Sequence, residues 1–171
     1  MNEIKDIINE SERLKADKKF DEAISMLEKS IVKYNNDYRL YEQLADIYLY
    51  KGDTSKADKS TNYALNINPE SAAGNYLKGF ILLSKNKINL SLKYLEKSNS
   101  IMKNNPEVLR NLGWAYTMAG ENFKGIMLLK RALNIAPKDE LITKDLAMAL
   151  IGEGKVKEGN QLLEGLGLDI D

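Results

Sequence analysis

Small and apolar residues in this chain return at fixed intervals of thirty-four positions. Laid in rows that begin at Ile4, Tyr38, Ala72, Pro106 and Glu140, the sequence needs no insertion or deletion. The eighth column then reads Ser11, Ala45, Gly79, Gly113 and Ala147, all small. The twentieth reads Ala23, Ala57, Ser91, Gly125 and Gly159, again all small. The eleventh is always large: Leu14, Tyr48, Leu82, Tyr116 and Leu150. The twenty-seventh holds Ser30, Ala64, Ser98 and Ala132 and fails only at Leu166. Columns 4, 7, 8 and 11 share one face of a helix, as do columns 20, 24 and 27. Each row therefore predicts two amphipathic helices.

The break between the helices of a row falls at the fifteenth column, occupied by Lys18, Gly52, Asn86, Gly120 and Gly154. Glycine and asparagine best tolerate a left-handed helix end. Rows close on Asn35-Asn36-Asp37, Pro69, Asn104-Asn105-Pro106 and Pro137, where turn formers and proline stop the second helix. A glycine inside a helix costs about 1 kcal/mol relative to alanine. Gly79, Gly113, Gly125 and Gly159 are thus expected at close helix crossings, with Gly113 facing its partner helix and Gly120 ending its own.

Repeats of this length and pattern resemble the tetratricopeptide repeat family. Row four carries the resemblance at Leu109, Leu112, Gly113, Tyr116, Gly120, Ala132 and Pro137. Row two carries it at Tyr41, Leu44, Ala45, Tyr48, Gly52, Ala57, Ala64 and Pro69. Row one departs at Glu10, and row three places Asn75 and Lys78 at normally apolar columns. The resemblance implies an all-α fold, a right-handed α-solenoid of stacked antiparallel helix pairs. It predicts a single domain over 1–171, with repeats at 4–37, 38–71, 72–105 and 106–139 and a truncated fifth at 140–171. It also implies a protein that binds other proteins, with a peptide or helix held in a concave groove.

Composition narrows the chemistry. Basic and acidic residues balance at 25 each, so no global field draws the chain to nucleic acid or to an anionic membrane. Histidine and cysteine are absent, which removes imidazole bases, thiol nucleophiles, disulfides and the usual zinc sites. The glycine spacing in "GENFKGI", from Gly120 to Ile126, lacks the Lys-Ser/Thr pair of a phosphate loop. Glu42 and Asp46 stand at helical spacing but read as solvated charge rather than as an acid–base pair. No enzyme, cofactor or metal is expected. The first residues lack the unbroken apolar core of a secretory signal, which predicts a cytoplasmic protein.

Inner-face columns, assigned by the resemblance, place Glu42, Asp46, Tyr50, Tyr76, Phe80, Leu83, Arg110, Asn111, Trp114, Met118 and Met148 in a partner-binding groove. Its first part is charged and the rest aromatic and aliphatic. Co-chaperones of the family clamp a client's terminal carboxylate through basic and asparagine side chains at columns where this chain has Glu42, Asp46, Leu77, Glu107 and Asn111; the basic donors are missing. Asn111 remains a candidate contact to a ligand backbone. Beyond the last full row, Leu162, Leu163, Leu166, Leu168 and Ile170 leave an apolar end instead of a polar cap. Three outcomes are open: the tail folds back over the exposed face, a second copy covers it in a homodimer through the C-terminal end, or the chain is a shortened piece of something longer. The function expected is therefore that of an adaptor or scaffold for an apolar or amphipathic protein segment, with no nucleic acid and no membrane. The alternatives are a secretion-type chaperone for a membrane-inserting substrate and a self-assembling scaffold.

Overall fold

The computed structural model describes residues 3–168, and Ile170 lies outside them. The described residues form ten helices: α1 (Glu3–Ala16), α2 (Phe20–Lys33), α3 (Tyr38–Tyr50), α4 (Thr54–Ile67), α5 (Ala72–Ser84), α6 (Ile88–Ile101), α7 (Pro106–Met118), α8 (Asn122–Ile135), α9 (Glu140–Gly152) and α10 (Val156–Glu164). Odd-numbered helices are the first of each row and even-numbered helices the second. The fold is all-α, built from antiparallel helix pairs. The chain packs as two compact units, 1–81 and 82–171, whose boundary falls inside α5.

All five first helices end in the same way. The N–H of Lys19, Asp53, Lys87, Glu121 and Lys155 reaches back to the carbonyl of Leu14, Tyr48, Leu82, Tyr116 and Leu150, at 2.8 to 2.9 Å. This six-to-one bond needs a left-handed residue just before it. Lys18, Gly52, Asn86, Gly120 and Gly154 supply that residue, with φ of 58°, 82°, 55°, 83° and 83°. Where the next first helix begins, Asp37, Asn105 and Asp139 accept backbone N–H bonds with their side chains and satisfy donors that would otherwise be unpaired.

In the first unit, α2 packs on α1 and α3, and α4 packs on α3. Leu27, Leu40 and Ile47 are fully buried within one cluster that also takes in Leu14, Ala23, Leu44 and Tyr48. Each such aliphatic side chain contributes about 1.5–3 kcal/mol. The polar residues at apolar columns are satisfied individually. Asn75 is buried and donates to the carbonyls of Pro69 (2.9 Å) and Ser71 (2.7 Å). Lys78 pairs with Asp58 at 2.6 Å and donates to Asn62 at 2.8 Å. Glu10 lies partly exposed against Arg13.

In the second unit, α7 packs on α6 and α8, and α9 on α8 and α10. Leu129, Leu146, Ala149, Leu150 and Ile126 form one core cluster, with Leu109, Ala132 and Ile142 in another. The tightest approach is at α7 and α8. A Cβ on Gly113 would stand 2.9 Å from the Gly125 carbonyl oxygen and 2.9 Å from Leu129 Cγ, and one on Gly125 would stand 2.7 Å from the Gly113 carbonyl oxygen. Only hydrogen fits at either position, which is why two helix interiors accept glycine.

Candidate partner-binding site

In the first unit, α1 and α3 carry the charged part of the expected face. Lys15 lies between Glu12 (2.7 Å) and Asp46 (2.6 Å). Burial lowers the pKa of Lys15, but its bonds to Asp46 and Glu12 outweigh that effect and leave it raised. The same ammonium stands 5.2 Å from the Tyr50 ring centroid, and Phe20 stacks on Tyr50 at 6.4 Å. Tyr50 nonetheless stays 65% exposed. On α5, Tyr76 and Phe80 stack at 6.4 Å one turn apart, both partly buried.

Glu42 sits elsewhere than expected. Its side chain is buried, not presented to a ligand, and accepts from the Ser71 hydroxyl and the Gly74 N–H at the start of α5. Burial pushes its carboxyl above the ordinary value, and the bonds from Ser71 and Gly74 only partly offset this. The contact joins residues 29 apart in sequence, so column position alone did not reveal it.

In the second unit, α7 and α9 present Trp114, partly buried, with Met118 44% and Met148 54% exposed. Successive helix residues are about 100° apart. With Gly113 against α8, Trp114 is thereby turned away from that contact. Arg110 bridges to Asp145 at 2.9 Å across the two first helices. Burial raises the Asp145 carboxyl more than Arg110 lowers it. Leu83 is partly buried at the end of α5. Asn111 is buried, and its amide donates to the Glu107 carbonyl of its own helix at 3.1 Å. At the C-terminal end, Leu162 packs partly buried on the α8–α9 cluster, Leu163 and Leu166 are half-buried, and Leu168 is 40% exposed.

The structure adds a feature that the sequence reading missed. In the second unit, an open cavity of about 460 Å³ lies between α6 and α8 over α7, lined among others by Glu96, Leu112, Tyr116, Phe123, Lys124 and Met127. A smaller one of about 280 Å³ in the first unit is lined by Glu28, Leu44, Tyr48 and Lys56. In each, a tyrosine hydroxyl donates to the glutamate and a lysine ammonium stands over the ring, 5.3 Å from Tyr48 and 4.7 Å from Tyr116. Burial, with the neighbouring glutamate, pushes both phenols up to about 12. The signal was present in the sequence, since Glu28, Tyr48 and Lys56 recur two rows later as Glu96, Tyr116 and Lys124.

Among the described residues no cluster of carboxylates is placed to hold a metal ion. No helix among them is long and apolar enough to cross a membrane.

Residues 38–71 match the family model for the tetratricopeptide repeat. No curated protein sequence matches the chain. Among solved structures, the protein is similar to MamA (residue 41 to the end) from Desulfovibrio magneticus RS-1, at 21% identity and a TM-score of 0.77, over 96% of this chain and 93% of that one. It is similar to Pseudomonas aeruginosa pilF, at 14% identity and a TM-score of 0.80, over 98% and 77% of the two chains. A third is YrrB, described as a TPR protein with an unusual peptide-binding site, at 16% identity and a TM-score of 0.70, over 92% and 81%. One segment of the chain, 38–71, thus matches the tetratricopeptide repeat, and its all-α fold is similar to that of a solved protein of that kind.

Proposed function

We propose that the protein is an adaptor or scaffold whose first-helix faces receive an apolar or amphipathic segment of a partner protein. The observation that carries this reading is the exposure of Met118 and Met148 on the face that holds Trp114. Side chains of that kind leave water when a partner covers them, each contributing about 1.5–3 kcal/mol. Aromatic anchors dominate such interfaces. Stacked repeats use this kind of surface for binding, and the peptide site of YrrB supports the analogy. With Glu42 and Asn111 buried, the contact residues are Trp114, Met118 and Met148 in the second unit and, separately, Tyr50, Tyr76 and Phe80 in the first, with Arg110 and Asp46 already paired within the chain.

The combination Trp114→Ala with Tyr76→Ala tests this in a pull-down with a matched melting curve. Loss of capture with helicity and melting nearly intact is the expected result. Loss of capture together with a collapse in melting temperature would instead assign the rings to the core. A secretion-type chaperone would use the same face, and co-purification with a membrane-inserting substrate would single it out.

A further inference from the structure

The balanced net charge conceals a segregation within the second unit. Between Lys85 and Lys138 ten lysines and arginines stand against three acids, while from Asp139 to Leu168 six acids stand against three lysines. The basic stretch supplies α6 and α8, the walls of the cavity of about 460 Å³. Lys93 lies one turn before Glu96 and Lys130 one turn beyond Met127, both exposed. The lining acid, Glu96, is engaged by the Tyr116 hydroxyl.

The cavity wall also carries Phe123, 77% exposed, and Met127, 54% exposed. The matching columns of the first unit hold Ser55 and Lys59. The repeat therefore does not need apolar side chains there to fold. The acidic stretch supplies α9 and α10; Val156 at the start of α10 is 49% exposed and Leu168, beyond its end, 40% exposed. Leu163 is half-buried, although Leu27, Leu95 and Leu129 in the same column are fully buried. A groove with exposed apolar residues between two helices of basic excess, and an apolar end richer in acids, thus occur on one molecule.

We propose that the α6–α8 groove of one copy seats the acidic α9–α10 end of a second copy. Within one copy α10 is held on α9, so the docking runs between copies. In a two-fold pair each copy gives its end and receives the other's, which satisfies both patches without open growth. The α6–α8 groove is walled by second helices, and the variants below leave Trp114, Met118 and Met148 unchanged, so either proposal can fail without the other.

Light scattering of the full chain over a range of concentrations tests it. Dimers form at low salt and weaken as salt rises, because the screening length shrinks from about 10 Å at 0.1 M to about 3 Å at 1 M. Lys93→Glu with Lys130→Glu leaves a monomer, and so does Glu158→Lys with Glu164→Lys. Mixing these two variants restores association, a rescue that misfolded chains cannot give. Phe123→Ser with Met127→Lys, the residues of the first unit's own columns, abolishes dimers with melting unchanged. A wild type that stays monomeric at every concentration in low salt overturns the proposal, as do dimers that survive both charge reversals. Sedimentation of monomers with anionic phosphatidylserine vesicles would also overturn it, giving the basic face to lipid.

Discussion

Glu42 and Gly113 show how far single residues could be read in advance. Gly113 could be: a glycine in a helix interior, in a column of small residues, signals backbone approach, and its absent Cβ would meet the Gly125 carbonyl oxygen and Leu129. We predict that Gly113→Ala costs about 1–3 kcal/mol by overpacking in urea unfolding. Glu42 could not be read, because its burial depends on how the turn before α5 brings Ser71 and Gly74 to its carboxylate. The raised carboxyl has a consequence for pH. The folded state holds the proton more tightly than the unfolded chain, so this group's stability contribution falls as pH rises from the ordinary 4.5 through the raised value. In Glu42→Gln the amide oxygen still accepts from Ser71 and Gly74, and the penalty for burying charge disappears. Urea unfolding from about pH 4 to pH 7 should therefore show the variant gaining on the wild type as pH rises. A parallel pair of curves would show that the buried carboxylate is not the cause.

At the scale of the helix, the ends were more legible than the faces. Glycine or asparagine at four of five fifteenth columns announced the left-handed stop, and register alone placed Lys18 there, although lysine gives no such signal. A non-glycine residue in that conformation costs about 1–2 kcal/mol. Lys18→Gly is accordingly predicted to raise the melting temperature and Gly120→Ala to lower it. The start of α9 depends on Asp139, whose carboxylate accepts from the N–H groups of Leu141 (2.9 Å) and Ile142 (3.0 Å). Asp139→Ala should cost about 0.5–2 kcal/mol in the same unfolding experiment. The faces were harder to read. Helical period tells which residues share a side, but not that Asn111 turns back onto its own helix or that Lys15 and Asp46 neutralise each other.

For the whole molecule, the thirty-four-residue register carried the fold, because within each unit helices pack on their neighbours in sequence and so repeat the same local solution. Charge did not follow that logic. A sum of zero spoke against a global field and gave no sign that basic and acidic residues are sorted onto different helices of the second unit. The account's central claim is that the face holding Trp114 takes a foreign protein segment. A photoreactive residue placed at Met118, and separately at exposed Val32 on α2, tests it directly when irradiated in lysate. The account predicts protein adducts at position 118 that disappear in a Trp114→Ala background, with none at position 32. Equal adducts at both positions, or adducts at 118 indifferent to Trp114, would contradict it.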